Sequence, residues 1–75
     1  MPTKMFVEPY NRWSKKAVDL MNDAGVRFDV MDMQENFWYR EILEGLTGEY
    51  YHPYLFVNGK PYRGLEGVRE YLAAR

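Results

Sequence analysis

The dipeptide Asn58-Gly59 lies between two short runs rich in apolar and aromatic residues, HPYLFV before it and KPYRG after it. Asn-Gly is the strongest short-range signal for a β-hairpin, because both central residues of the turn need a positive φ angle. The pattern therefore predicts two antiparallel strands joined at this dipeptide. Pro61 cannot donate a hydrogen bond within a sheet, so the second strand should lie at a sheet edge.

The N-terminal third of the chain reads as a strand followed by a helix. Met5-Phe6-Val7 is a short apolar run, typical of a strand buried on both faces. Asn11 is a preferred N-cap residue, and Gly25 is the expected C-cap glycine of a helix that ends near Ala24. The helical spacing predicts a buried stripe of Ala17, Leu20, Met21 and Ala24.

The middle of the chain predicts a second strand and a second helix. Val26, Phe28 and Val30 alternate with charged residues, as in a half-buried strand. A helix is then expected from about Glu35 to Leu46. Its buried stripe is either Trp38, Ile42 and Leu46 or Tyr39, Leu43 and Leu46. At least one ring of Phe37, Trp38 and Tyr39 should be exposed, because three consecutive helical residues point in three directions.

A last helix is expected from about Glu66 to Ala74, opened by Gly64, with Val68, Tyr71 and Leu72 facing inward. The predicted order is β-α-β-α-β-β-α. The first βαβ unit should be parallel and right-handed, and the hairpin adds two antiparallel strands. The sequence therefore predicts one α/β domain over residues 1–75, with a mixed four-stranded sheet flanked by helices.

Composition narrows the possible functions of the chain. Its 75 residues contain no cysteine and one histidine, which excludes disulfides and argues against a structural zinc site or any other metal site. The net charge is −1 with interleaved signs, which argues against nucleic acid as a partner. No apolar run is long enough for a membrane span or a signal peptide. We expect a soluble cytoplasmic protein without a cofactor.

The order of the elements, together with the turn and cap residues that separate them, resembles the glutaredoxin family of the thioredoxin fold, from about Lys4 to Leu72. KKAVDLMNDAGVRFDVMDM is similar to the family's first helix, Gly-Val junction and second strand. LTGEYYHPYLFVNGK is similar to the loop before the cis-proline and the hairpin, and YRGLEGVREYL to the last turn and helix. The resemblance implies a cis bond before Pro53. Together with the local patterns, it assigns structural roles to Pro9, Asn11, Pro53, Asn58, Gly59 and Gly64.

The departures from the family pattern fall at its reactive and ligand-binding positions. Asn11-Arg12-Trp13-Ser14 stands where the family has Cys-x-x-Cys or Cys-x-x-Ser, and Glu8 replaces a lysine. Tyr51-His52 replaces Thr-Val, and Arg63-Gly64 replaces Gly-Gly. Thiol–disulfide exchange requires a thiolate, so this chain is not a thiol–disulfide oxidoreductase. Glu8 reverses the charge that meets a glutathione carboxylate in the family, which argues against glutathione binding.

These changes favour a redox-inactive binding scaffold, engineered or redesigned from a glutaredoxin-like parent. Trp, Tyr and Arg are preferred anchors at protein interfaces, although Trp13 is equally compatible with packing onto the core. Arg63 is either an anchor or a solvated charge. We expect the altered face to meet a protein partner or a second copy of the chain. Its candidate binding residues are Tyr10, Arg12, Trp13, Phe37, Trp38, Tyr51, His52, Arg63 and Leu65.

Two other functions are compatible with the sequence. Ser14 as nucleophile, His52 as base and Glu8 as orienting group would make a hydrolase, with the helix N-terminus as oxyanion site. A lone histidine beside a proline is, however, more often a polar loop residue than a catalytic base. The chain is also compatible with a cysteine-free folding or design test case that has no partner.

Overall fold

The predicted arrangement of strands and helices is confirmed by a computed structural model, which describes residues 2–75. The elements are β1 (Thr3–Val7), α1 (Arg12–Asp23), β2 (Asp29–Asp32), α2 (Trp38–Thr47), β3 (Tyr54–Val57), β4 (Lys60–Arg63) and α3 (Gly64–Ala73). The sheet order is β2-β1-β3-β4. β1 is parallel to β2 and antiparallel to β3, and β4 pairs antiparallel to β3 at the edge.

Strong local signals fix both ends of α1. The Asn11 side-chain oxygen accepts hydrogen bonds from the amides of Trp13 and Ser14, at 2.9 and 3.1 Å. At the other end, the Gly25 amide donates to the Asn22 carbonyl and the Val26 amide to the Met21 carbonyl. This pair of bonds is a Schellman motif, which satisfies carbonyls that the helix end leaves free. The predicted N-cap and C-cap glycine are confirmed.

The core lies on both faces of the sheet, because side chains of β1 alternate between them. Met5 and Val7 pack on the face covered by α1 and α3, with Ala17, Met21, Leu55 and Val68. Phe6 packs on the other face, with Met33, Leu43, Tyr54 and Phe56. As predicted, Val68 is buried, and Tyr71 and Leu72 pack partly buried against the first cluster.

The predicted strand over Val26, Phe28 and Val30 is wrong in its bounds. Val26 belongs to the C-terminal cap of α1, where its amide donates to the Met21 carbonyl. Strand β2 begins only at Asp29. Val26 and Phe28 still pack against the core from the connecting segment, whereas Val30 is 49% exposed. In the α1 stripe, Ala17 and Met21 are buried as predicted, but Leu20 is only partly buried and Ala24 is exposed.

Helix α2 begins three residues later than predicted, because the preceding segment forms its own turn. The Asp32 carboxylate accepts hydrogen bonds from the amides of Gln34 and Glu35 at 2.9 and 3.0 Å, which holds these residues outside the helix. Tyr39 and Leu43 face the core. Leu46 was expected in either stripe but is 61% exposed.

The C-terminal part of the chain agrees closely with the sequence pattern. Asn58 and Gly59 have φ angles of 53° and 85°, as the predicted turn requires, and Pro61 lies in the edge strand β4. Helix α3 begins at Gly64, two residues before the predicted start at Glu66. No helix within residues 2–75 combines the length and apolar character needed to cross a membrane.

Candidate functional site

A groove of about 320 Å³ lies where the start of α1, the loop before β3 and the start of α3 meet. We call it the aromatic groove. Its lining residues are Trp13, Tyr51, His52, Pro53, Arg63, Gly64, Leu65 and Glu66. The bond between His52 and Pro53 is cis. The groove therefore contains five of the nine residues that the sequence suggested for binding.

Trp13 projects from the first turn of α1 and is 52% exposed, which resolves the choice between core packing and exposure. The Arg12 guanidinium lies 5.8 Å from the centre of the Trp13 ring. Tyr10, just before the helix, is 90% exposed. Neither Tyr10 nor Arg12 lines the aromatic groove, although Arg12 lies against the Trp13 ring that does.

Tyr51 forms a wall of the aromatic groove and is held from the side of α3. The Arg63 guanidinium carbon lies 3.7 Å from the centre of the Tyr51 ring. A Cβ atom added to Gly64 would come within 3.1 Å of the same ring, at a backbone φ of 69° that side chains rarely adopt. The ring therefore has a defined place that a larger residue at position 64 would disturb.

Arg63 is already paired within the chain. Its Nε and Nη2 atoms donate to the two carboxylate oxygens of Glu49 at 2.8 and 3.2 Å, and the Tyr54 hydroxyl donates to Glu49 at 3.1 Å. The hydrogen bond from Arg63 lowers the pKa of Glu49, and Glu49 in turn raises the pKa of Arg63. Arg63 thus bonds to Glu49 with two donors and contacts the Tyr51 ring. It is neither an unpaired anchor for a partner nor a charge that only water contacts.

His52 connects the aromatic groove to a second cluster of rings. Its imidazole stacks on Tyr51 at a centroid distance of 6.5 Å and meets the edge of Tyr50 at 5.6 Å. The Nδ1 atom of His52 is buried and has no hydrogen-bond partner among the described residues. His52 is therefore packed between rings, which differs from both a solvated loop residue and a catalytic base.

The proposed hydrolytic triad is wrong. Ser14 is fully buried, and its Oγ accepts a hydrogen bond from the Glu8 backbone amide at 3.2 Å. The Glu8 carboxylate accepts from Arg40 at 3.0 Å and from the Tyr50 hydroxyl. Neither Ser14 nor Glu8 bonds to His52. The buried Ser14 hydroxyl and the already bonded Glu8 carboxylate therefore cannot serve as nucleophile and orienting group for His52.

The cluster of Glu8, Arg40 and Tyr50 was missed by sequence reasoning. The Arg40 guanidinium lies between two rings, 5.4 Å from the centre of Phe37 and 5.2 Å from that of Tyr50. Partial burial and the hydrogen bond to Glu8 raise the pKa of Tyr50 to about 12. A negative charge at position 8 was visible in the sequence, but its partners lie 32 and 42 residues away.

The two aromatic candidates of the second helix differ in position. Phe37, 65% exposed, stacks on Arg40 and so joins the Glu8 cluster. Trp38, 58% exposed, packs edge-on against Tyr39 and does not line the aromatic groove. The exposed ring predicted in this segment is confirmed. The assignment of Trp38 to the same face as Trp13 is corrected.

Within residues 2–75, no three His, Asp or Glu side chains are grouped as metal ligands.

Comparison with known proteins identifies the fold. No protein-family model and no curated protein sequence matches the chain. A solved structure of a buckwheat glutaredoxin–glutathione complex matches with a TM-score of 0.82 at 21% identity, over 97% of this chain and 69% of that chain. The holo form of glutaredoxin C1 from Populus tremula x tremuloides matches at 0.81 and 22%, over 99% and 76%.

A wheat glutaredoxin matches at a TM-score of 0.79 and 20% identity, over 100% of this chain and 73% of that chain. The chain therefore has a glutaredoxin-like fold, as its sequence suggested. At these identities the likeness establishes the fold alone. The chain itself contains no cysteine, so it cannot carry out thiol–disulfide exchange.

Proposed function

We propose that this chain is a redox-inactive scaffold of glutaredoxin-like fold that binds a protein partner through its aromatic groove. The observation that carries the proposal is the exposure of Trp13 and Tyr51, 52% and 39%, on the walls of one groove. Large aromatic residues in a concave, partly desolvated setting are the usual anchors of protein interfaces. Leu65 adds an apolar surface between them and the core.

The contacts that restrain Tyr51 support the proposal. Tyr51 is held by Arg63, and Arg63 is held by a two-pronged bond to Glu49. A side chain that is already fixed loses little conformational freedom when a partner binds, so more of the contact energy appears as affinity. The Arg63–Glu49 pair also places a carboxylate beside the arginine that lines the groove, which weakens the attraction of Arg63 for an anionic ligand.

The chemistry of the lining indicates the kind of partner. With Arg63 neutralised by Glu49, the remaining charge on the lining is Glu66, and the other contacts are aromatic and apolar. The best fit is an extended peptide segment with an aromatic or aliphatic side chain and a nearby basic residue. We also propose an engineered origin, because the departures from the glutaredoxin pattern are concentrated at this one face. We further propose a cytoplasmic location, which the absence of cysteine suits.

A display selection with random peptides against the native chain would test the function. We expect selected peptides to lose about 30-fold or more in affinity to Trp13→Ala and to Tyr51→Ala, which corresponds to about 2 kcal/mol for an interface anchor. Trp38→Ala is the matched control, because this ring is equally exposed but lies off the groove. Thermal melts should show that all three variants fold.

The outcome that would contradict the proposal is equally specific. If no enriched peptide depends on Trp13 or Tyr51, the groove is not a binding site. The chain would then be a stable fold without a partner at this face. Peptides that bind equally to all variants would place recognition elsewhere.

A further inference from the structure

His52 packs against two tyrosine rings, and each of these rings already carries a guanidinium group. One ring is Tyr51, which lies at 25° to the imidazole plane and has the Arg63 guanidinium 3.7 Å from its centre. The other is Tyr50, whose centre lies 5.2 Å from the Arg40 guanidinium. Because Tyr51 forms a wall of the aromatic groove, a movement of His52 would remove a contact that supports this wall.

The Nδ1 atom of His52 is buried, and no group within residues 2–75 bonds to it. With its proton on Nε2, the neutral imidazole leaves Nδ1 as an unused acceptor. The protonated ring instead places an N–H donor and a positive charge at the same point. A buried charged donor without an acceptor costs more free energy than an unused neutral acceptor. The packed position of His52 therefore suits the neutral imidazole.

The charged and titratable groups around His52 do not supply the missing acceptor. Glu8 and Glu49 already accept hydrogen bonds from the two arginines. The arginines lie against the tyrosine rings, so an imidazolium there would gain less from the rings than an isolated cation and would be repelled. The groups are Tyr50 and Tyr51 on the same loop, Glu8 after β1, Arg12 in α1, Arg40 in α2, Glu49 after α2, Arg63 in β4 and Glu66 in α3.

The aromatic groove offers the protonated ring a second environment. Glu66 is the one carboxylate of its lining and is exposed. No ion pair among the described residues 2–75 includes Glu66. A protonated imidazole that leaves the tyrosine rings for the groove finds acceptors in water and in this carboxylate. The chain thus provides a packed position for the neutral ring and an open one for the charged ring.

We propose that His52 makes the aromatic groove sensitive to pH, because protonation releases the imidazole from the tyrosine rings into the groove and weakens binding of the peptide partner. This inference rests on the proposed function. The released ring takes up room in the groove and competes with a basic residue of the peptide for Glu66. Histidine is the side chain that changes charge between about pH 5 and 8. Since one proton is involved, the affinity falls by at most about tenfold for each unit of pH.

Nuclear magnetic resonance tests the movement without any partner. His52 is the only histidine of the chain, so its ring protons can be followed without ambiguity. We expect nuclear Overhauser contacts from this ring to Tyr50 and Tyr51 at about pH 7.5, and their loss as the ring becomes charged toward about pH 5.5. A ring that stays neutral at the lower pH, or that keeps these contacts when charged, would overturn the proposal. The Arg63–Glu49 pair does not interfere, because its hydrogen bond lowers the pKa of Glu49 from 4.5.

Peptide binding tests the consequence for the groove. Histidine-free peptides that depend on Trp13 and Tyr51 should lose roughly fivefold or more in affinity for the native chain between about pH 7.5 and 5.5. Their affinity for His52→Phe, whatever its absolute value, should not change with pH. Equal affinity of the native chain at both pH values would refute the regulation. If no peptide depends on the groove, the proposed function fails, whereas the resonance contacts still decide whether protonation releases His52.

Discussion

Two helical glycines of this chain should respond in opposite directions to the same substitution by alanine. Gly45 in α2 has open space around it, so a methyl group there would meet nothing within 4 Å. Gly67 in α3 is buried, and a Cβ at that position would lie 2.5 Å from the backbone carbonyl carbon of Tyr62. The nearest atoms belong to the backbone of β4, which cannot swing aside as a side chain does.

The expected magnitudes follow from these distances. Alanine is favoured over glycine inside a helix by about 1 kcal/mol, so Gly45→Ala should raise the free energy of unfolding by up to that amount. At Gly67 the same gain is opposed by overpacking, which costs about 1–3 kcal/mol and more where backbone must move. We expect Gly67→Ala to be destabilising by about 1–2 kcal/mol, leaving the two variants about 2–3 kcal/mol apart.

Thermal melts followed by circular dichroism would measure the difference. For a domain of this size, 1 kcal/mol corresponds to about 4–8 °C, so the midpoints should differ by about 10–20 °C. If Gly67→Ala melts at or above the native temperature, the close approach of α3 to β4 does not limit the fold, and the reasoning fails.

Three further predictions concern single side chains. Asn11→Ala should lower the free energy of unfolding by about 1 kcal/mol, because two backbone amides lose their acceptor. Asn11→Asp should keep the native stability, because aspartate is an equally good N-cap. Chemical denaturation measures the free energy of unfolding of both variants. The hydrogen bond from Arg63 lowers the pKa of Glu49 below its ordinary 4.5, so its stabilisation is present above pH 4.5 and lost as pH falls through the lowered value. Glu49→Gln should flatten the acid side of a profile of melting temperature against pH, and an unchanged profile would refute the assignment. Partial burial and Glu8 raise the pKa of Tyr50 from 10.0 to about 12, so its contribution is complete below pH 10 and is lost as pH rises toward 12. An absorbance titration should show a late-ionising tyrosine that Tyr50→Phe removes; a native titration without it would contradict the contact.

Features set by near neighbours in the chain were predictable from sequence. The cap at Asn11, the helix end at Gly25 and the Asn58-Gly59 turn each depend on contacts within a few residues. Residue type alone therefore decides the local geometry. These three points, with the apolar runs between them, are enough to give the order of strands and helices.

Features set by distant contacts were predicted less well. The alternation at Val26, Phe28 and Val30 suggested a strand, but pairing with β1 takes Asp29 to Asp32 instead. Two stripes of α2 had similar apolar character, and only the packing of Tyr39 and Leu43 against Phe6 distinguishes them. Local pattern cannot decide such cases, because the winning register depends on residues far away in sequence.

The candidate site shows the same division. The sequence brought Ser14, Glu8 and His52 near one another but could not tell which bonds they make. The Ser14 hydroxyl accepts a hydrogen bond from the backbone amide of Glu8. The Glu8 carboxylate accepts one from Arg40, which lies 32 residues away in the sequence. Proximity of three residues is weaker evidence for a catalytic site than hydrogen bonds between them. A buried polar group forms its hydrogen bond with any suitable partner nearby, and sequence does not reveal which one.

The proline in β4 also bears on how this chain can assemble. Pro61 removes a donor from one sheet edge, and the four-residue strand β2 carries charged Asp29 and Asp32 at the other. Short, charged or proline-bearing edges are poor templates for an added strand. Copies of the chain are therefore hindered from continuing the sheet into a fibre. Association with other molecules is therefore left to faces built from side chains rather than to the edges of the sheet.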